Sequence, residues 1–109
     1  MSPYRRAPRR DANEKDIVDA LKHVGALVHR LDGKDIPDLL VGFDGQWFLM
    51  EVKMPLGPKG GTVDHQVLSP GQQGFFDEAH RRRLPTVLVR SPIEAIEAIG
   101  ADLPQPKIR

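Results

Sequence analysis

The chain of 109 residues contains no cysteine, which excludes disulfide bonds and thiolate metal sites. It also lacks any apolar run near the roughly 18 residues that a membrane-spanning helix requires. The basic N-terminus is not followed by the apolar segment of a signal peptide. We therefore expect a cytoplasmic protein with no membrane association. The formal net charge of +1 gives little overall bias toward an acidic partner.

The remaining composition is that of a soluble globular domain, with 39% hydrophobic and 28% charged residues. A chain of this length forms one compact core. Proline and arginine dominate residues 1–10, and two prolines interrupt residues 101–109. These shifts predict a flexible basic arm at 1–10, a single domain at 11–100 and a loose tail at 101–109.

The spacing of apolar residues predicts the element order α-β-β-β-α-β-α. A stripe of Ile17, Val18 and Leu21 indicates a first helix that starts near residue 11 and ends at Gly25. Further strands are predicted at 26–31 and 86–90, and further helices at 69–82 and 92–99. A buried strand that follows a strand–helix unit implies parallel pairing in a mixed sheet. Apolar residues on both faces of the central strands favour an α/β fold with helices on both faces.

The central hairpin, residues 36–53, carries the most informative polar residues. Asp44-Gly45 lies between two apolar runs and favours a two-residue turn, in which paired residues have numbers that sum to 89. Asp38 then lies opposite Glu51, and Lys53 points to the same face. A three-residue loop would shift the pairing by one and place the two acids on opposite faces.

Two opposed carboxylates repel each other, and a divalent cation would offset that repulsion. Asp38 and Glu51 supply hard oxygen ligands, which suit Mg²⁺ or Mn²⁺ better than zinc. Lys53 beside such an ion can hold a water molecule or stabilise charge on a phosphoryl oxygen. These groups together suit the hydrolysis of a phosphodiester.

Pro37-Asp38 followed by Glu51-Val52-Lys53 resembles the signature of the PD-(D/E)XK nuclease superfamily. The element order is similar to the α-β-β-β-α-β core of restriction-endonuclease-like folds. The small size resembles stand-alone VRR-NUC nucleases and Holliday-junction resolvases of phages and bacteria. The resemblance implies metal ligands at Asp38, Glu51 and the backbone carbonyl of Val52, with Lys53 as the catalytic lysine.

The same resemblance implies roles for two residues outside the hairpin. Glu14 corresponds to an acid that contacts the metal through water, and Gln72 to a glutamine near the attacking water. Each residue also has a purely structural explanation. Glu14 suits the first turn of a helix, and Gln72 completes a capping box with Ser69. We expect that one amide geometry does not serve both roles of Gln72.

Basic residues in the arm and in the glycine-rich loop after the hairpin are candidates for phosphate contacts through counterion release. They are Arg5, Arg6, Arg9, Arg10 and Lys59. Arg81, Arg82 and Arg83 are explained more simply as cations at a helix C-terminus. Trp47 is expected in the core rather than as a base-stacking surface.

The sequence thus predicts a Mg²⁺-dependent DNA endonuclease, with Mn²⁺ as a substitute ion. The resemblance implies selectivity for branched DNA such as Holliday junctions. Paired cuts at a junction need two active sites, so we expect a homodimer. Two alternatives remain open: a catalytically silent DNA-binding or assembly protein of the same fold, and a nicking or restriction-type nuclease that acts with a partner.

Overall fold

The computed structural model describes residues 12–56 and 67–103. Its elements are, in chain order, α1 Glu14–His23, β1 Leu27–Arg30, β2 Leu39–Phe43, β3 Gln46–Val52, α2 Pro70–Arg81, β4 Thr86–Val89 and α3 Pro92–Ala98. The predicted element order is confirmed. The predicted arm at 1–10 and most of the predicted tail lie outside the described ranges. Within those ranges, no helix is both long enough and apolar enough to cross a membrane.

The four strands form one mixed sheet in the order β1-β2-β3-β4. β1 and β3 each pair antiparallel with β2, whereas β4 pairs parallel with β3. Because parallel neighbours need a crossover connection, α2 lies between β3 and β4 in the chain. The mixed sheet predicted from the strand–helix–strand unit is therefore confirmed.

The hairpin of β2 and β3 has the predicted two-residue turn. Asp44 and Gly45 have φ angles of 49° and 79°, which a type I′ turn requires. Leu39 pairs with Met50, so paired residue numbers sum to 89. Asp38 directly precedes β2, and the same register extended by one position places it opposite Glu51.

Helices cover both faces of the sheet. One face of the hairpin packs with α1 and α3 into the main core, and its buried members are Leu39, Val41, Phe48, Met50 and Val52. α2 packs against β4 and buries Phe76 and Ala79. Since Gln72 of α2 contacts Glu51, which alternates with Met50 and Val52 along β3, α2 lies on the second face.

Trp47 departs from the prediction that it belongs to the core. Its side chain is 57% exposed, so that prediction is wrong. Trp47 lies on the second face of the sheet, near the turn, whereas α2 packs against β4. The burial of this face therefore depends on where α2 lies, and local sequence patterns carry no information on that point.

Candidate functional site

The candidate site is centred on Glu51, a carboxylate buried within the sheet. Glu51 is only 3% exposed and Lys53 only 7%, although both belong to residue types that are rarely buried without a partner. Lys53 Nζ lies 3.5 Å from Glu51 Oε2. The predicted proximity of these two side chains is thus present in the structure.

Asp38 is held against the same strand by backbone contacts. Its Oδ2 accepts a hydrogen bond of 2.8 Å from the backbone N–H of Val52, the residue between Glu51 and Lys53. Its own carbonyl accepts a bond of 2.7 Å from the N–H of Leu31. These contacts anchor the Asp38 carboxylate beside Glu51, as the hairpin register requires.

Gln72 brings α2 into the site, and its amide serves two purposes at once. Its Oε1 accepts from the backbone N–H of Ser69 at 2.9 Å, and Ser69 Oγ accepts from the N–H of Gln72 at 3.2 Å. Its Nε2 donates to Glu51 Oε2 at 3.1 Å. The capping contact uses the amide oxygen and leaves the nitrogen for Glu51, because the two atoms have different partners. The place of Gln72 near the attacking water stays a prediction.

The electrostatics around Glu51 disfavour its charged form. Burial raises the pKa of the Glu51 carboxyl to about 8, and the negative charge of Asp38 adds to this effect. The ammonium of Lys53 opposes it only in part. When Glu51 is ionised, its buried Oε1 has no hydrogen-bond donor among the described residues. A buried oxygen in this state is costly unless a cation or donor reaches it. The protonated carboxyl instead shares a hydrogen bond with Asp38, which also raises the pKa of Glu51.

A divalent cation fits these features. The Oε1 of Glu51 and the adjacent Asp38 carboxylate supply hard oxygen donors. The carbonyl of Val52 as a further ligand stays a prediction. Mg²⁺ commonly takes one or two carboxylates and keeps its other positions for water and substrate phosphate. Residues 12–56 and 67–103 contain no group of three or more His, Asp or Glu residues that could hold a metal. Among these residues, the acids of the candidate site are thus Asp38 and Glu51.

Glu14 is the first residue of α1 and is 2% exposed. Its Oε2 accepts a hydrogen bond of 2.8 Å from Nε of Arg30 on β1. This ion pair gives Glu14 a structural role that the sequence did not indicate. Its contact with a metal through water stays a prediction.

Asn13 lies near the site and directly precedes α1, a position at which asparagine commonly caps a helix. In the described part of the chain its side chain makes no capping bond, although it lies at the N-cap position of α1. Its Nδ2 instead donates to the carbonyls of Lys53, at 3.2 Å, and Arg90, at 2.8 Å. Asn13 thus fixes the backbone where the parallel strands β3 and β4 both end.

The predicted phosphate-binding residues fall outside the described ranges, so their role stays a prediction. They are Arg5, Arg6, Arg9, Arg10 and Lys59. In the described part, Arg81 and Arg82 both pair with Glu78 on the surface of α2. These pairs agree with a structural explanation of the basic residues that end this helix.

The fold and the buried acid–lysine group define an α/β domain with a restriction-endonuclease-like core. A solved structure described as a VRR_NUC domain is similar to this chain, with a TM-score of 0.61. The match covers 79% of this chain and 88% of that one, at 22% sequence identity. The chain therefore has the fold of a VRR-NUC domain, which confirms the predicted resemblance at the level of the fold. No family model and no curated protein matches the sequence.

Proposed function

We propose that the protein is a metal-dependent DNA endonuclease that hydrolyses phosphodiester bonds, with Mg²⁺ as its ion and Mn²⁺ as a substitute. The observation that carries this proposal is the buried Glu51 carboxylate. One of its oxygens is held by Gln72 and Lys53, while the other has no hydrogen-bond donor among the described residues when Glu51 is ionised. A fold shared with a VRR-NUC domain supports the same conclusion.

Asp38, Glu51 and the carbonyl of Val52 would hold the ion, with Glu14 as an additional acid acting through water. When bound, the ion supplies a water nucleophile near neutral pH and polarises the phosphate. The hydrogen bond from the Val52 N–H keeps Asp38 in place, and it also fixes the strand that carries Glu51. The protein thus orients both carboxylates before any ligand arrives.

Lys53 supplies positive charge where negative charge grows on the phosphoryl oxygens. Its position depends on the pairing of β3 with β4, because its N–H donates to the carbonyl of Val89 at 3.0 Å. Gln72 donates to Oε2 of Glu51 and thereby fixes the rotation of the carboxylate. By fixing this rotation, Gln72 also sets where the other oxygen, Oε1, lies for the ion. Its predicted place near the attacking water is a separate role.

The preferred substrate in this proposal is branched DNA, such as a Holliday junction. A homodimer would supply the two active sites that paired cuts need. The arginines of residues 1–10 and Lys59 would contact phosphates beyond the scissile bond. These features follow from the predicted resemblance and from the charge of the sequence.

The test is cleavage of a four-way junction, a flap, a linear duplex and a plasmid in Mg²⁺, Mn²⁺ or EDTA. We expect cleavage with either ion and none in EDTA. Asp38→Asn and Glu51→Gln should abolish cleavage. Lys53→Ala should lower kcat by roughly 10²–10³-fold while DNA affinity stays nearly unchanged. Glu97→Gln, an exposed carboxylate on α3, is the matched control and should cleave normally.

Three outcomes would count against the proposal. Cleavage that persists in both Asp38→Asn and Glu51→Gln would place the active site elsewhere. Salt-sensitive DNA binding, with neither cleavage nor Mn²⁺ binding at these residues, would favour a catalytically silent DNA-binding protein. Cleavage that appears only with a copurifying protein would instead indicate a nuclease that acts with a partner.

A further inference from the structure

An exposed aromatic side chain lies on the same sheet face as the candidate site. Trp47 and Glu51 are four positions apart on β3, so their side chains project from the same face. Leu49, between them on that face, is half-buried. Trp47 is 57% exposed, and it is the only tryptophan in the chain.

The indole ring rests on the sheet because its neighbour on β2 has no side chain. Trp47 pairs with Gly42, which in turn pairs with Leu27 of β1. A Cβ added to Gly42 would lie 2.9 Å from Cζ3 and 3.2 Å from Cε3 of the ring. The ring therefore covers the backbone of β2 at Gly42. Leu27, 59% exposed, continues this apolar surface to the edge of the sheet.

Trp47 lies close enough to the site for one DNA strand of a few nucleotides to contact both. Four residues of a β-strand span about 13 Å. Neighbouring nucleotides advance about 3.4 Å along one strand of a duplex, and more in an extended single strand. A strand that runs along β3 with a phosphate at Glu51 and Lys53 would therefore bring a base to Trp47 within roughly four nucleotides.

We propose that Trp47 is a stacking site for an unpaired nucleobase within about four nucleotides of the cleaved bond. This inference rests on the proposed function and names the feature of DNA that the protein would select, an unpaired base. Bases inside a duplex have both faces stacked, whereas flaps, frayed ends and branch points expose a base face. Stacking on an aromatic side chain is worth about 1–3 kcal/mol per base. The continuity of this surface with the candidate site favours DNA over other occupants.

The test uses Trp47 itself as the reporter, since no other tryptophan contributes to the emission. Fluorescein-labelled flap and blunt duplex DNA are titrated in EDTA, which prevents turnover, and binding is followed by anisotropy. Tryptophan emission is recorded in parallel with unlabelled DNA. We expect the flap to quench the emission at saturation and the blunt duplex to leave it nearly unchanged.

Trp47→Ala should weaken flap binding by roughly 5- to 160-fold and leave duplex binding within about twofold. Trp47→Phe, which keeps an aromatic face, should recover most of the loss. Gly42→Ala should shift the ring and weaken flap binding without removing the indole. Ile93→Ala, at a side chain on α3 that is 58% exposed, is the control and should bind both substrates normally.

Unchanged emission at saturating flap DNA would overturn the inference, as would equal losses of flap and duplex binding in Trp47→Ala. Emission that changes with protein concentration alone would assign the surface to contact between two copies of the chain. Flap-specific quenching in a protein that never cleaves would support the stacking site and refute the proposed function. Cleavage without quenching by the flap would support the proposed function and refute the stacking site. The two hypotheses can therefore fail separately.

Discussion

The raised pKa of Glu51 predicts that this residue destabilises the metal-free fold as the pH rises. The folded protein holds the Glu51 proton up to a pKa of about 8, whereas the unfolded chain releases it near the ordinary value of 4.5. Between these values the folded state binds one more proton than the unfolded state. The free energy of unfolding therefore falls by about 1.4 kcal/mol per pH unit.

Glu51→Gln removes this titration while it preserves the shape of the side chain. The free energy of unfolding of wild type relative to Glu51→Gln should therefore fall across this window, by up to about 5 kcal/mol in total. It should be level below pH 4.5 and again above pH 8. Urea unfolding in EDTA at half-unit pH steps measures the difference. Glu97→Gln, at an exposed position, should track wild type throughout.

Divalent metal should reverse this trend. Mg²⁺ or Mn²⁺ binds the ionised carboxylate, so its apparent affinity should rise as the pH approaches 8 and the wild-type protein should regain stability. Either ion should raise the free energy of unfolding of Glu51→Gln only slightly. The difference in free energy of unfolding between wild type and Glu51→Gln in EDTA is the decisive quantity. If it changes by less than about 1 kcal/mol from pH 5 to 9, Glu51 is not a desolvated acid.

Three further predictions concern the residues around the hairpin. Gln72→Glu keeps the capping pattern but adds a carboxylate beside Glu51, so cleavage should fall at least tenfold while the melting temperature stays within a few degrees. Asn13→Ala removes two hydrogen bonds and should lower the free energy of unfolding in urea by about 2 kcal/mol. Because the Lys53 backbone is then no longer fixed, the variant should lower kcat more than it raises KM. Glu14→Gln should weaken Mn²⁺ binding in calorimetry by several-fold, and unchanged binding would restrict Glu14 to its ion pair with Arg30.

Much of the site could be predicted because its determinants are local. Asp44-Gly45 sets the turn, and the turn alone sets which residue lies opposite Glu51. The capping pattern at Ser69 likewise fixes where α2 begins and therefore where Gln72 lies along it. In both cases residues only a few positions apart decide the geometry.

Other features could not be predicted because they depend on contacts between distant segments. Asn13 looks like a helix cap in sequence, but its partners are 40 and 77 positions away. Trp47 looks like a core residue, and its exposure follows from the position of α2 over β4. Nothing near these residues in the chain indicates which long-range partner they meet.

The short span of the hairpin has a consequence for the order of folding. Asp38, Glu51 and Lys53 come together as soon as β2 and β3 pair, and an isolated hairpin closes in about 1–10 μs. At that stage the two acids face each other in water, where their repulsion is weak. Gln72 arrives only when α2 docks, and the burial of Glu51 follows. We therefore expect that the electrostatic cost of the site arises after the hairpin has formed. A cost that arises late in folding speeds unfolding more than it slows folding.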